Sequence, residues 1–281
     1  MRVVVTGAGG QLGREVVRAW SSAGEQVVAL DRAALDIGED QDVWAAVRDY
    51  APDVVVNAAA YTKVDACEDD PAPAWAINAG GAASLARACR AAGALLVHVS
   101  TDYVFDGAAP HPYTEFDRPN PQSVYGRTKD AGEQLVRQHC PEHQIVRTAW
   151  LHGAGGANFV TTMLRFGRER GAATVVTDQA GSPTFAFDLA PAMRQLAVTR
   201  RPGTFHLVNS GFATWYEVAE ATFAEAGLDV ELTPTDSAAF ARPAPRPANS
   251  RLECRHAELA GLGPLPHWRQ SLGRFVEEVS G

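Results

Sequence analysis

The segment Thr6-Gly7-Ala8-Gly9-Gly10-Gln11-Leu12-Gly13 constrains this chain more than any other, because of what stands on either side of it. It follows an apolar, β-branched run at Arg2–Thr6 and opens a helix-like segment at Gln11–Ala23. Strand, tight turn and helix therefore succeed one another at the head of the chain. Glycines at 7, 10 and 13 permit the turn, let backbone N–H groups approach a pyrophosphate, and allow the helix to lie close on the strand. The helix N-terminus adds its partial positive charge. A glycine pattern alone describes any Gly-rich turn, but the strand–turn–helix setting makes this one a dinucleotide-binding loop. A second strand ends at Leu30-Asp31-Arg32. An acid at this distance accepts the adenosine ribose hydroxyl of NAD, whereas an adjacent Arg holds the 2′-phosphate of NADP. With both Asp31 and Arg32 present, NADH and NADPH stay open, and Asp31 also reads as a plain helix cap.

The alternation continues along the chain. Strands are expected at Arg2–Thr6, Gln26–Leu30, Asp53–Asn57, Ala94–Ser100, Gln144–Thr148 and Thr174–Thr177. Between them, helices are expected at Gln11–Ala23, Glu39–Tyr50, Glu68–Ala92 and Ser123–His139, the third carrying Gly80-Gly81 as a kink or a close helix contact. Continuous apolar runs such as Val54-Val55-Val56 indicate strands buried on both faces, hence a parallel sheet covered by helices. After about position 150 the pattern loosens into the Gly-rich loop 153–156 and the proline-rich 241–247, with helices expected at Phe185–Thr199, Thr214–Ala226 and His267–Val279. The fold expected is α/β: a Rossmann-like, doubly wound parallel sheet with a smaller mixed α/β substrate-binding domain. Residues 1–150 form the dinucleotide-binding part, with part of 171–200 returning to it, and 151–281 form a discontinuous second region.

Composition excludes several function classes. With 25 basic against 33 acidic residues the formal net charge is −8, against nucleic-acid binding through a broad basic surface. No apolar run approaches the roughly 20 residues of a membrane span, and the chain opens directly on a strand rather than a signal peptide. Cys67, Cys89, Cys140 and Cys254 lie far apart without a CxxC pair, which fits a reducing cytoplasm. The run His139-Cys140-Pro141-Glu142-His143 lacks zinc spacing and reads as surface at a helix end, and Glu68-Asp69-Asp70 reads as a solvated helix N-terminus.

Of the 25 basic residues only Lys63 and Lys129 are lysines. A lysine kept where arginine serves everywhere else is either a chance survivor or a position where arginine does not substitute. Lys129 lies four residues after Tyr125, at the start of an expected helix, so the two side chains share a face. A free phenol titrates near pH 10, and a neighbouring ammonium is expected to pull it down towards the working range of a proton transfer. The preceding strand runs into Ser100-Thr101-Asp102, and only one of Ser100 and Thr101 can face a cofactor.

Together these residues look like the extended short-chain dehydrogenase/reductase superfamily, with its TGxxGxxG loop, strand-end Ser/Thr and YxxxK. Further runs narrow the resemblance: Asn57–Asp65, Thr101–Gly107, Arg147–Trp150, Asp178–Thr184 and Arg246–Ser250. The combination resembles the dTDP-4-dehydrorhamnose reductases, which make dTDP-L-rhamnose, over nearly the whole chain. The resemblance implies Tyr125 as proton donor, Lys129 as its partner and cofactor anchor, and Thr101 as the group that tunes Tyr125 and bonds the substrate carbonyl. It places Gly10, Gln11, Leu12, Asp31, Asp36, Ile37, Ala60, Tyr61 and Thr62 along NADPH or NADH. Val64, Asp102 and Trp150 would contact a dTDP-4-keto-6-deoxy sugar. Some relatives form a homodimer held through Mg²⁺ by acidic residues. Glu15 stands at a matching place, but no second acidic match is found near Phe185–Ala190, which puts metal dependence in doubt. Three other readings compete: a dehydratase, disfavoured because Tyr103 stands where the Glu of its Thr-Asp-Glu step belongs; a reductase of another dTDP-4-keto sugar; and a non-catalytic nucleotide-binding regulatory subunit.

Overall fold

In the computed structural model, which describes residues 1–280, six parallel strands make the central sheet. They are β1 (Arg2–Thr6), β2 (Gln26–Leu30), β3 (Val54–Asn57), β4 (Leu95–Thr101), β5 (His143–Thr148) and β6 (Gly203–His206), in the order β6-β5-β4-β3-β1-β2. The chain steps outward from β1 to β2, then crosses back past β1 to β3. This reversal opens a crevice beyond the carboxyl ends of β1 and β3, where open α/β sheets bind ligands.

Eight longer helices accompany the strands: α1 (Gln11–Ser22), α2 (Asp40–Tyr50), α3 (Ala82–Ala92), α4 (Val124–His139), α5 (Phe159–Arg170), α6 (Ala186–Thr199), α7 (Trp215–Glu225) and α8 (Trp268–Ser280). The pleat of β1 sends Val3 and Val5 to one face and Val4 to the other, all fully buried. On the first face α1 and α6 supply Leu12, Val16, Trp20, Leu189 and Met193. The Trp20 indole N–H there donates to the Ala190 carbonyl at 2.9 Å. On the second, α2, α3 and α4 supply Val43, Val47, Leu85, Cys89 and Val136. Each such side chain contributes about 1.5–3 kcal/mol by leaving water.

Through α6 and β6 the chain returns to the central sheet after position 185. The rest of the second half packs α5, α7 and α8 around Phe185, Trp268 and Phe275. Among the described residues no helix is long and apolar enough to cross a membrane.

Three expectations are corrected. The strand expected at Thr174–Thr177 is Ala172–Val176, and it pairs with Glu231–Thr235 outside the central sheet. Its burial alternates, with Ala173 and Val175 inward, as befits a one-faced ribbon. The sixth sheet position belongs instead to Gly203-Thr204-Phe205-His206, too polar to announce itself. The single long helix expected at Glu68–Ala92 is broken into Ala66–Asp69, Pro71–Ala74, a π-helical turn at Trp75–Gly81, and α3. Asp70 is extended, and its carboxylate accepts the Ala72 N–H at 3.4 Å; Pro71 then starts a new turn without needing a donor. Glu68 is not merely solvated, since its carboxylate accepts the N–H of Val124, the first residue of α4, at 2.8 Å.

Candidate active site

Two adjoining cavities, of about 390 and 830 Å³, run along the carboxyl ends of the strands and share Gly10 and Ala58–Ala60. The smaller is lined by Gly7, Asp31, Arg32, Asp36, Ile37, Ala60 and Tyr61. The larger holds Gln11, Leu12, Gly13, Thr62, Val64, Thr101, Asp102, Tyr125, Lys129 and Trp150. Every residue expected at the site thus lines one continuous groove.

At the glycine end the turn packs on its own backbone too closely for side chains. Gly7 has φ +67°, and a Cβ there would lie 2.6 Å from the Ala59 nitrogen; one on Gly13 would lie 2.2 Å from the Gly7 carbonyl oxygen. Gly10 caps α1 without any side-chain hydrogen bond, so the first N–H groups of the helix are left for a ligand. Asp31 is not a helix cap, since α2 begins only at Asp40; its Oδ1 closes a turn by accepting the N–H groups of Ala33 and Ala34, both at 3.0 Å. Arg32 is exposed, 3.4 Å from Asp36. Asn78, from the π-helical turn, clamps the Ala60–Thr62 loop: its Oδ1 accepts the Tyr61 N–H at 2.8 Å and its Nδ2 donates to the Tyr61 carbonyl at 3.1 Å. The same Nδ2 donates to Thr128 Oγ1 at 3.0 Å, tying this loop to α4.

The start of α4 sets the reactive corner. The Ser123 hydroxyl accepts the Gly126 N–H at 3.1 Å, and Tyr125 and Lys129 follow one turn apart, both buried. Lys129 Nζ donates to the Val99 carbonyl at 2.7 Å. Burial lowers its pKa to about 8, with Glu133 opposing the fall. Burial pushes the Tyr125 phenol well above its ordinary value, against the pull of the Thr101 hydroxyl. The depression expected from the ammonium is not seen: desolvation governs the phenol, which stays protonated.

Ser100 and Thr101 do part company. Ser100 Oγ donates inward to Glu133 at 2.6 Å, while Thr101 Oγ1 faces the cleft and donates to Asp102 Oδ1 at 2.9 Å. Burial raises Asp102 to about 6, against the Ser250 and Thr101 hydroxyls, and its Oδ2 has no partner among the described residues.

The opposite wall is aromatic. Trp150 and Trp215 stack with centroids 3.5 Å apart and planes at 8°, and Phe159 leans on Trp215 at 4.4 Å. Trp150 holds a left-handed backbone, φ +45°, unusual for a bulky residue. Its indole occupies the place of the Cβ that Gly181 lacks, which would lie 2.3 Å from the ring. Arg246 also lines the cleft, pairing with Asp65 at 2.9 Å. Gln11 serves as a strut, since its Oε1 accepts from the Gly153 N–H and from Asn158 Nδ2, both at 2.9 Å.

Sequence reasoning missed Trp215, Arg246, Ser250, Asn78 and Glu133. Arg246 and Ser250 stood within a run that carried the resemblance, a signal that marked them without a role. Trp215 and Asn78 carried no local signal. Of the acidic residues near the expected metal position, Glu15 pairs with Arg18 and Asp188 accepts from Asn209 and Ser271, and among the described residues no three His, Cys, Asp or Glu converge.

A family model described as the RmlD substrate binding domain matches residues 1–280. The chain is 46% identical over 287 residues to a dTDP-4-dehydrorhamnose reductase from Streptomyces griseus, covering 100% of this chain and 94% of that one. It is equally, 46%, identical over 286 residues to a probable dTDP-4,6-dihydroxy-2-methyloxan-3-one 4-ketoreductase from Streptomyces antibioticus, covering 99% and 96%. The crystal structure of a dTDP-4-dehydrorhamnose reductase from Bacillus anthracis in complex with NADP superposes with a TM-score of 0.96 at 40% identity, over 99% of both chains.

Proposed function

The chain belongs to the RmlD substrate binding domain family, and from that premise we propose that it reduces the C4 ketone of dTDP-4-dehydro-L-rhamnose to dTDP-L-rhamnose. The observation that carries this reading is the meeting, in one cleft, of a buried Tyr125–Lys129 pair, Thr101 and an aromatic wall, continuous with a glycine-lined groove.

A bound nicotinamide cofactor supplies the hydride. Tyr125, kept protonated by burial, gives its phenolic proton to the alkoxide oxygen that forms at C4. The Thr101 hydroxyl, in the same cleft as Tyr125, would bond the ketone oxygen, and Lys129 would stabilise the phenolate once the proton has gone. Val64, Asp102 and Trp150 border the sugar. Arg246, with one side held by Asp65, presents the remainder of its guanidinium to a diphosphate. For the cofactor we favour NADPH: one Asp31 oxygen is committed to its own turn, Arg32 gives its Nε to Asp36 and keeps its exposed terminal nitrogens for a 2′-phosphate, and the Bacillus anthracis relative was solved with NADP.

A second reading, reduction of a different dTDP-4-keto-6-deoxy sugar, is favoured by the equal identity to the Streptomyces antibioticus ketoreductase. The deciding experiment follows nicotinamide absorbance with NADPH and then NADH, using dTDP-4-dehydro-L-rhamnose generated in situ. Oxidation with dTDP-L-rhamnose as product supports the first reading and ranks the cofactors. No oxidation, with cofactor still bound, removes it in favour of a sister substrate or a regulatory nucleotide-binding role.

A further inference from the structure

Behind the reactive corner lies a charged group that the chemistry above does not use. Glu133 sits one turn beyond Lys129 on α4 with its carboxylate fully buried. Both oxygens are saturated: Oε1 accepts from Ser100 Oγ at 2.6 Å and Arg147 Nε at 2.8 Å, and Oε2 from Arg147 at 2.7 Å and Arg137 at 2.6 Å. Ser100 belongs to β4 and Arg147 to β5, while Arg137 reaches on to Thr204 of β6 at 2.9 Å. One carboxylate therefore joins the reactive helix to three neighbouring strands. A buried ionic cluster of this kind is weak evidence for stability, since apolar packing of similar volume often serves as well or better. Its placement points to another use. Ser100 is bonded to Thr101, and Lys129 precedes Glu133 by four residues, so the cluster grips both sides of the reactive corner from behind.

We propose that Glu133 is a positioning residue for the reduction: its bonds to Ser100 and Arg147 fix α4, with Tyr125 and Lys129, against the end of β4 that carries Thr101. The inference rests on the reductase reading for its kinetic consequence, but not for its electrostatic one. Lys129 has the Val99 carbonyl as its hydrogen-bond acceptor and, among the described residues, no ion-pair partner. Tyr125, Asp130 and Arg137 share its helix; His98 and Asp102 face α4 from the β4 side, Tyr103 from the turn beyond, and Arg147 from β5. Burial keeps His98 neutral and Tyr103 protonated, and Arg137 and Arg147 hold Glu133 at about 2 against the opposing effect of burial. Glu133 is the charge that favours the ammonium.

The test uses the scarcity of lysine. Full-length protein labelled at lysine Cε gives two resonances, and exposed Lys63 serves as the internal reference for Lys129. In wild type the Lys129 signal should titrate below the ordinary lysine range. In Glu133→Gln it should move lower by about one pH unit, kcat at pH 7 should fall at least about tenfold, and the cofactor dissociation constant should change by less than about threefold. Ser100→Ala keeps the carboxylate but removes its strap to β4, so kcat should fall about threefold with the Lys129 titration in place. Glu133→Asp retains the charge and should restore the titration; it also serves if Glu133→Gln does not fold. An unmoved Lys129 titration in folded, cofactor-binding Glu133→Gln overturns the electrostatic half. A kcat within twofold of wild type overturns the positioning half. If wild type reduces no dTDP-4-keto sugar while the Lys129 shift still occurs, the reductase reading fails and the coupling stands.

Discussion

The β4–α4 wall of the cleft and the wall facing it hold their functional groups by different means. On the first, hydroxyls, an ammonium and a carboxylate are fastened by short hydrogen bonds from adjoining strands: Lys129 to Val99, Ser100 to Glu133, Thr101 to Asp102. On the second, Trp150 and Trp215 hold each other by contact, over a position where only a glycine fits, and Arg246 pairs half-buried with Asp65 and donates to the Ala244 carbonyl at 3.1 Å. Directional bonds fix atoms to within tenths of an ångström, which proton transfer needs. Stacked planes tolerate sliding, which suits recognition of a ring or a base. The difference implies that substitutions on the first wall act on kcat and those on the second on KM.

Tyr125→Phe should break the first wall most completely. Loss of the donor is expected to lower kcat by about a thousandfold while leaving the cofactor dissociation constant within about twofold, measured by steady-state assay and fluorescence titration. Wild-type turnover in this variant would take Tyr125 out of the mechanism. Trp215→Ala is its counterpart on the aromatic wall. Here KM for the nucleotide sugar should rise roughly thirtyfold with kcat within about threefold. A parallel collapse of kcat would mean that the two walls act as one.

The two walls also differ in how far the sequence discloses them. The glycine loop and the Tyr125–Lys129 pair are legible because their partners lie within one strand–turn–helix or one helical turn, where spacing alone determines geometry. Asp31 and Arg32 are legible in place but not in role, since the turn hydrogen bonds to Ala33 and Ala34 depend on a backbone path no spacing reveals. Trp215 is different: it meets Trp150 across 65 residues, numbers 150 to 215, and nothing near it in sequence marks it. Arg246 and Asp65 lie further apart still, and Glu133 looks like any helical carboxylate until Ser100 and Arg147 are brought to it. β6 escaped for a related reason: its place beside β5 is set by α6 docking on α1, not by its own polar residues.

A gentler probe of the aromatic wall is Gly181→Ala. The added Cβ would lie 2.3 Å from the Trp150 ring, so the indole must shift or the strand must yield. Overpacking of this kind costs about 1–2 kcal/mol of stability and should raise KM about tenfold, less than loss of the platform itself. A rise in kcat or an unchanged KM would show that the position of Trp150 is immaterial to substrate.

The smallest effect concerns two buried carboxylates on the first wall that titrate in opposite directions. Glu133 is held at about 2, below its ordinary 4.5: burial alone would raise it, but the arginines and Ser100 prevail. Its contribution to stability is present above pH 4.5 and is lost as pH falls towards 2. Asp102 is raised by burial from 3.8 to about 6, so its contribution is present below pH 3.8 and is lost as pH rises through 6. At pH 7 the folded chain therefore carries a buried charge on Asp102 with one oxygen unpartnered, at a cost of at most roughly 3 kcal/mol for a shift of about two units. Asp102→Asn removes the charge and retains an acceptor for Thr101, but its amide leaves two N–H groups where that oxygen stood, so about 1 kcal/mol should be recovered. Thermal unfolding of this variant should rise by about 2 °C at pH 7 and show no gain at pH 4.5, even though its activity suffers. Glu133→Gln should instead lose stability at pH 7, because it leaves Arg147 buried against a neutral partner. If Asp102→Asn were destabilised at pH 7 as well, the Asp102 carboxylate would have to be as well paired as that of Glu133, and the two would no longer stand in contrast.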